Sequence, residues 1–322
     1  MALLEVGGLS VSYFTRKGEV KAVSGVSFEL KEQETLGIVG ESGCGKSTLG
    51  LTLLNLLPPA GKVIGGSIRL DGTDILGLKP EELRHVRGKM VSMIFQDPMT
   101  SLNPVKKIGD HFVEAIRAHD PKVTKEEGLA RASRILGLLG MSADRLSDYP
   151  HQLSGGMKQR IMVGLGLVLE PKLIVADEPT TALDVVIEAQ ILDLLHQLKE
   201  NLKLSMILIT HNLGIVAEVA DKIAIMYGGE IYEFADTKSI FRNPLFPYTQ
   251  LLMKLVPNVA SDSTSLEWIP GSPPDLSTAI PGCKFAARCP YVMDVCRKEP
   301  PKFRELEPGH RVACHLYDGG KR

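Results

Sequence analysis

The sequence predicts an α/β fold built on a phosphate-binding core, and three observations indicate it. A glycine-rich loop, Gly40–Ser47, follows an apolar run and fits the pattern G-x-x-x-x-G-K-[ST] without a mismatch. A second apolar run, Leu173–Ala176, ends in two adjacent carboxylates, Asp177 and Glu178. Between these motifs, residues 105–147 show helical periodicity, which indicates a helical insertion between two halves of the core.

The glycine-rich loop is typical of a phosphate cradle. Its glycines allow a tight turn with inward-facing N–H groups, and the helix that begins near Lys46 adds its positive dipole end. We expect Lys46 to hold the β- and γ-phosphates and Ser47 to bind Mg²⁺. No chemical role is expected for Cys44, although a thiol reagent there should block access of ATP. The positions assigned to nucleotide binding are Gly40, Ser42, Gly43, Cys44, Gly45, Lys46, Ser47 and Thr48.

Composition and charge limit the class of protein. A chain of 322 residues with 44% hydrophobic residues can bury a sizeable core and suggests about two domains. The net charge of −1 gives no electrostatic reason to expect nucleic-acid binding. The sequence shows neither an export signal nor an apolar run near the ~20 residues that span a bilayer. We therefore expect a cytoplasmic chain whose membrane role, if any, comes through a partner.

Elements around the loop follow from local patterns. Alternating apolar and polar residues over 3–30, around Gly18, predict an antiparallel hairpin layer. Tyr13 lies in this layer, where its ring either stacks on a purine base or simply packs in the strand. A helix is expected over 49–57 and a short strand over 67–70.

Polar side chains at strand ends are candidates for catalysis. Gln96 follows the strand 91–95 and could reach Mg²⁺ or the attacking water; a plain turn is the alternative. Asp177 would hold Mg²⁺ through its water shell, and Glu178 would orient and deprotonate the water. His211 follows the strand 204–210 and could bond the γ-phosphate, or only make a local hydrogen bond.

A second anion site is expected at Leu153–Arg160, before an apolar helix. Ser154 is a suitable N-cap, and Gly155 and Gly156 expose N–H groups at the helix start. One phosphate chain cannot easily fill both sites of a monomer, so a second subunit is expected to supply one of them.

These motifs, in this order, resemble the nucleotide-binding subunit of ABC transporters. The resemblance covers residues 3 to about 235. By this resemblance the motifs correspond to Walker A (40–47), the Q-loop (Gln96), the signature (153–159), Walker B (Asp177 and Glu178), the D-loop (Asp184) and the switch (His211). It implies a RecA-like P-loop core with an antiparallel β-subdomain and an α-helical ABC insertion. It also implies a head-to-tail dimer in which Walker A of one subunit and the signature of the other enclose each ATP.

The resemblance and the composition together predict three regions in the chain. The nucleotide-binding domain is expected over residues 1–235, with its helical subdomain over about 100–165. Residues 236–265 look like the helical extension found in di- and oligopeptide importers. Residues 266–322 form a small, loop-rich region, too short to fold on its own core alone.

Four cysteines in that last region predict a metal site. Their spacing is C-x5-C-x6-C-x17-C, and a reducing cytoplasm disfavours disulfides. Zinc is the alternative, but the usual C-x(2–4)-C pair is missing, whereas a [4Fe-4S] cluster suits wider spacing. The importer subunits resembled here carry an iron–sulfur cluster, which favours that group. The predicted ligands are Cys283, Cys289, Cys296 and Cys314, with His310 and His315 as surface or second-shell groups.

Basic residues surround these cysteines and either offset the cluster's negative charge or form an ordinary solvated face, which we take as the default. They are Lys284, Arg288, Arg297, Lys298, Lys302 and Arg304. A redox sensor that regulates ATP hydrolysis is a further hypothesis for this region.

The resemblance implies an ATP-hydrolysing subunit that energises import of dipeptides or oligopeptides. It would sit peripherally on the cytoplasmic side of the inner membrane. Its expected partners are a sister or identical ATPase, two transmembrane permease subunits and, indirectly, an extracellular solute-binding protein. A nickel or other small-solute importer is the nearest alternative, and a soluble ABC ATPase outside transport is the next.

Overall fold

The computed structural model describes residues 2–96, 101–180, 184–255 and 269–319. The chain divides into two compact units, each described by itself below. The helical unit comprises Lys31–Glu34 and Gly77–Ile207, and the loop unit comprises Ala2–Leu30, Thr35–Leu76 and Leu208–Arg322.

The described chain contains both strands and helices throughout, in agreement with the expected α/β fold. The strands are β1 (Ala2–Thr15), β2 (Gly18–Lys31), β3 (Thr35–Val39), β4 (Gly61–Leu70), β5 (Thr73–Asp74), β6 (Val91–Ile94), β7 (Leu173–Asp177), β8 (Ser205–Thr210), β9 (Lys222–Tyr227), β10 (Glu230–Asp236), β11 (Phe303–Glu307) and β12 (His310–Ala313). The α-helices cover Lys46–Leu53, Pro80–Val86, Ile108–Arg117, Lys125–Leu138, Gly155–Leu167, Val185–Leu202, Leu213–Val219, Thr237–Arg242, Pro247–Lys254 and Asp294–Lys298.

The antiparallel layer of the loop unit is confirmed. Its four strands lie in the order β2-β1-β4-β5, and β1 and β4 pair along their lengths, from Leu4 opposite Leu70 to Tyr13 opposite Gly61. Strand β4 begins six residues before the predicted start at Ser67. Most side chains in its first half are exposed, so they carry no apolar pattern that would reveal the strand.

The second sheet of the loop unit contains the strand that leads into the phosphate loop. Within this unit the order is β11-β12-β10-β9-β3. Every residue of β3 is buried. A Cβ added at Gly37 would lie 2.1 Å from Val216 Cγ1, so the helix Leu213–Val219 packs directly on this strand. The hairpin between β9 and β10 turns at Gly228 and Gly229, whose φ angles are 55° and 85°.

The C-terminal region joins this sheet, which the sequence did not predict. Strand β12 pairs with β10, placing Val312 opposite Glu233. Phe285 adds its ring to the buried aromatic residues Tyr227, Phe246 and Tyr248, with ring centroids 5.1 to 5.5 Å apart. The region therefore shares a core with the rest of the loop unit, which offsets its shortage of aliphatic residues.

The helical unit holds the parallel pair β6 and β7 and the predicted insertion. Between these two strands, every regular element in the described part of the chain is helical. Three helical segments come very close at Gly164, where an added Cβ would meet Leu139 at 2.8 Å and Phe112 at 3.1 Å. Thr124 and Glu127 form a reciprocal capping box at the start of Lys125–Leu138.

Three stretches near predicted features lie outside the described residues. They are positions 97–100 after Gln96, 181–183 before Asp184, and 256–268, where the predicted extension meets the cysteine region. Among the helices that are described, none has both the length and the apolarity needed to cross a membrane.

Candidate functional site

The phosphate loop has the backbone that its glycines predict. Gly43 and Gly45 have φ angles of 79° and 100°, a region that favours glycine. A Cβ at Gly45 would lie 2.1 Å from the Ala22 carbonyl oxygen, and one at Gly40 would lie 2.1 Å from the Met226 carbonyl oxygen. Larger residues at these two positions would force the loop away from the neighbouring strands.

Lys46 begins the helix that follows the loop and is only 4% exposed. Its Nζ donates hydrogen bonds to the carbonyl oxygens of Gly40 (2.6 Å) and Glu41 (3.0 Å), so the ammonium group is held within the loop itself. Ser47 and Thr48 follow it, and the Thr48 hydroxyl lies 3.3 Å from the Tyr13 hydroxyl. Tyr13 thus lies near the loop, while its predicted stacking on a base stays a prediction.

Cys44 differs from the accessible thiol that we expected. It is 4% exposed, and burial raises the pKa of its thiol above the ordinary value, although Lys46 opposes this shift. Its Sγ lies 3.9 Å from Lys46 Nζ. A thiol reagent would therefore reach it poorly.

Glu41 has hydrogen-bond partners that could not be predicted from the sequence. Its backbone N–H donates to the Tyr248 hydroxyl (2.8 Å), and its carboxylate accepts two hydrogen bonds from the Arg288 guanidinium. Both partners lie more than 200 residues further along the chain. No local pattern could have shown these contacts.

The helical unit brings the predicted catalytic carboxylate and glutamine together. Gln96 Nε2 donates to Glu178 Oε2 at 3.0 Å. Asp177, the last residue of β7, is 5% exposed. Glu178 follows it with a φ angle of 44°, an uncommon value for a residue with a side chain. His211 follows β8 in the loop unit and is exposed.

The predicted signature has the expected helix start. The Ser154 hydroxyl accepts from the Met157 N–H at 3.4 Å, and Gly155 is the first residue of the helix. A Cβ at Gly156 would lie 2.9 Å from Ile187, so glycine is needed there for close packing. Asp184 caps the next helix, with its Oδ1 accepting from the Ile187 N–H at 2.9 Å.

The four C-terminal cysteines are all free thiols. Burial raises the pKa of Cys283 to about 12 and that of Cys314 to about 11. In the parts of the chain that the structure describes, no group of three or more His, Cys, Asp or Glu side chains is arranged to hold a metal ion. The structure therefore does not show a metal-bound C-terminal region, and the metal site stays a prediction.

The two histidines of this region are buried, so the surface alternative is wrong, while a place next to the metal ligands stays a prediction. His310 is 1% exposed and its Nε2 lies 2.8 Å from Glu233. His315 is 9% exposed, and its two ring nitrogens bond the Asp318 carboxylate and the Glu299 carbonyl oxygen.

The default of a solvated basic face is also wrong for two residues. Lys284 bonds the Gly228 carbonyl oxygen and pairs with Glu230 at 2.9 Å. Arg288 is 4% exposed and pairs with Glu41.

Comparison with known proteins agrees with this arrangement. The family description "ABC transporter" matches residues 23–181, and the description "Oligopeptide/dipeptide transporter, C-terminal region" matches residues 232–296. A dimeric ATP-binding cassette, solved in a post-hydrolysis state with ADP and Pi, is 26% identical with a TM-score of 0.65. The match covers 73% of this chain and 98% of that one.

Relatives match nearly the full length. The dipeptide transport ATP-binding protein DppD of Bacillus subtilis (strain 168) is 46% identical over 98% of this chain and 95% of its own length. The oligopeptide transport ATP-binding protein OppD of Salmonella typhimurium is 43% identical over 97% of this chain and 93% of its own length. The chain therefore belongs to the ATP-binding proteins of ABC transporters, in the group formed by the dipeptide and oligopeptide transport proteins.

Proposed function

We propose that ATP hydrolysis by this ABC ATPase drives the import of dipeptides or oligopeptides through a membrane-embedded transporter. The observation that carries this proposal is the similarity, over almost the whole chain, to dipeptide and oligopeptide transport ATP-binding proteins. The match to the C-terminal region of such transporters supports it, because that region lies outside the residues matched by the general cassette description.

In this proposal each step of ATP binding and hydrolysis is assigned to a residue of the chain. Lys46 binds the β- and γ-phosphates, and Ser47 and Asp177 hold Mg²⁺, with Gln96 as a further contact. Glu178 takes the proton of the attacking water, since phosphoryl transfer to water needs a positioned base. His211 bonds the γ-phosphate.

Two cassettes are needed in this scheme. The helix start at Ser154–Gly156 supplies N–H groups to the nucleotide held by the Walker A loop of a second, sister or identical, cassette. The dimer binds two permease subunits on the cytoplasmic side of the membrane and receives solute through an extracellular binding protein. A dimeric cassette among the structural relatives supports this assembly.

Reconstitution tests the proposal. The chain is purified with its co-purifying permease and ATPase partners, placed in proteoliposomes and supplied with the binding protein. We expect binding protein loaded with a di- or tripeptide to stimulate ATP hydrolysis and peptide uptake. Stimulation by a nickel-loaded binding protein instead, or co-purification with no membrane protein, would contradict peptide import.

We further propose that Cys283, Cys289, Cys296 and Cys314 hold a [4Fe-4S] cluster. The Cys283 N–H donates to the Cys296 carbonyl oxygen at 2.8 Å, which brings the backbone of two of these cysteines together and supports the proposal. Backbone N–H groups of Phe285, Tyr291 and Leu316 donate to three of the sulfurs. Burial raises the pKa of these thiols, and the N–H donors oppose that rise by favouring the thiolate, which iron ligation requires. ATP hydrolysis has no redox step and needs no electron transfer, so we propose a structural role for the cluster, with a redox sensor as the alternative.

Metal analysis of anaerobically purified protein tests this second proposal. We expect brown protein with about four iron and four acid-labile sulfide per chain, as a cuboidal cluster has. Colourless protein with stoichiometric zinc would show the zinc alternative, and protein with neither metal would exclude both.

A further inference from the structure

The phosphate loop carries a negative charge of its own. Glu41 is the second residue of the glycine-rich motif, between Gly40 and Ser42, and its side chain is 25% exposed. The loop's N–H groups and Lys46 otherwise make a positive concavity for phosphates. An uncompensated carboxylate here would repel the polyphosphate of a nucleotide, since like charges at close range disfavour binding.

Arg288 compensates that charge from the C-terminal region. Its Nη1 and Nη2 lie 2.5 and 2.9 Å from the two carboxylate oxygens of Glu41, a bidentate pair. The Arg288 side chain is only 4% exposed. The other N–H groups of the Arg288 guanidinium donate to the carbonyl oxygens of Ile269 and Pro270 and to the Tyr227 hydroxyl. The guanidinium group therefore has a fixed position and little freedom to leave Glu41.

The loop backbone is held at the same point. The Tyr248 hydroxyl accepts from the Glu41 N–H, and Lys46 donates to the Glu41 carbonyl oxygen. One residue of the loop is thus fixed through its N–H, its carbonyl and its carboxylate. Two of these three partners, Tyr248 and Arg288, follow the last strand of the nucleotide-binding domain that the sequence predicts.

We propose that Arg288 is a positioning residue for nucleotide binding: by neutralising and fixing Glu41, it makes the affinity of the phosphate loop depend on the C-terminal region. This inference rests on the proposed nucleotide site at Gly40–Ser47. It does not require a metal on the neighbouring cysteines. Arg288 does not touch the reacting atoms, and it acts only through Glu41.

A purely structural role for Arg288 makes a different prediction. Arg288 also bonds the backbone at Ile269 and Pro270, so its loss would loosen the C-terminal region whatever happens at the loop. Removing the charge of Glu41 separates the two roles, because it relieves the repulsion without restoring the bonds to residues 269 and 270.

The experiment compares Arg288→Gln, Glu41→Gln and the double variant Arg288→Gln/Glu41→Gln in the full-length chain. Calorimetric titration gives the dissociation constants for MgATP and AMP, and thermal unfolding reports the fold. We expect Arg288→Gln to weaken MgATP binding about tenfold, because the Glu41 carboxylate then lies uncompensated beside the phosphates. The effect on AMP should be smaller, since AMP lacks the β- and γ-phosphates that the loop binds. In steady-state assays KM should rise while kcat changes little.

The double variant gives the decisive result. We expect it to recover most of the lost MgATP affinity while its unfolding temperature stays as low as that of Arg288→Gln. Wild-type affinity in Arg288→Gln, or a double variant that binds no better than Arg288→Gln, would overturn the proposal. Arg288→Lys keeps the charge without the bidentate geometry and should lie between the wild type and Arg288→Gln.

Arg304→Gln is the matched control, because Arg304 pairs with Asp318 at the surface of the same region. It should leave the MgATP dissociation constant unchanged. If the unaltered chain failed to bind MgATP at all, the nucleotide site itself would be wrong, which is a separate outcome from failure of the role proposed for Arg288.

Discussion

The side-chain amide of Gln96 donates a hydrogen bond to the carboxylate of Glu178, with 3.0 Å between Nε2 and Oε2. The two residues follow neighbouring parallel strands, β6 and β7, in which Ile94 lies opposite Ala176. Carboxyl ends of parallel strands meet at one sheet edge, so this contact follows from the topology. This donated hydrogen bond holds the Glu178 carboxylate in one orientation.

Glu178→Gln should abolish most turnover and spare binding. An amide cannot accept the proton of the attacking water, and loss of a general base typically costs about 10²- to 10⁴-fold in rate. We expect the variant to bind MgATP with normal affinity and to stay dimeric with it. Phosphate release and size-exclusion chromatography measure the two effects. Turnover at the wild-type rate would remove Glu178 from the role of base.

Gly156→Ala should block turnover by a different route. The added Cβ would approach Ile187 to 2.9 Å, which would displace the helix start that offers N–H groups to the partner's nucleotide. ATP binding to the isolated chain should persist while dimer-dependent hydrolysis falls. Gly137→Ala is the control, because a Cβ there meets nothing within 4 Å. If both variants hydrolysed ATP equally well, the signature helix would have no part in catalysis.

Cys44 should resist alkylation at neutral pH. Only the thiolate reacts, and burial raises the pKa of Cys44 above its ordinary value of 9.0, so the thiolate fraction is small until the pH exceeds that raised pKa. Peptide mass spectrometry after iodoacetamide treatment should show labelling that increases with pH and falls when MgATP is present. Rapid labelling at pH 7 would mean that the thiol is accessible and ionised.

Glu233→Ala should strongly destabilise the loop unit. This fully buried carboxylate accepts from the N–H groups of Leu245 and Phe246 and from the Thr249 hydroxyl, and it faces His310. Each buried donor left without a partner costs about 1–3 kcal/mol. Denaturant unfolding should therefore show a loss of several kcal/mol, whereas the exposed Glu29→Ala should change stability little. Equal stabilities would mean that water readily satisfies the orphaned donors.

Periodic apolar patterns accounted for most of the fold. The run at 35–39, the helical insertion and the strand before Asp177 each have apolar residues at the spacing of a single strand or helix. Such a pattern can be recognised from a short stretch of sequence. The phosphate loop could be recognised from its glycines. Close contacts with the backbone at Ala22 and Met226 leave no room for a side chain at Gly45 and Gly40.

Contacts between distant residues were not predictable in this way. The Arg288 to Glu41 pair spans 247 positions, and nothing near either residue signals the other. The hairpin of β11 and β12 was missed because all five residues of β11 are exposed and show no apolar period. Its place in the sheet depends on β10, whose Glu233 pairs with Val312 of β12, almost 80 positions later in the chain.

The hairpin of β11 and β12 also affects whether the folded protein self-associates in solution. Strand β11 is outermost in its sheet, and Arg304, Glu305 and Glu307 give it charged side chains of both signs. Charged outer strands discourage sheets from joining edge to edge, whereas a bare apolar edge invites aggregation. A chain cut before Phe303 would uncover β10, with Tyr232 and Phe234, and should therefore self-associate.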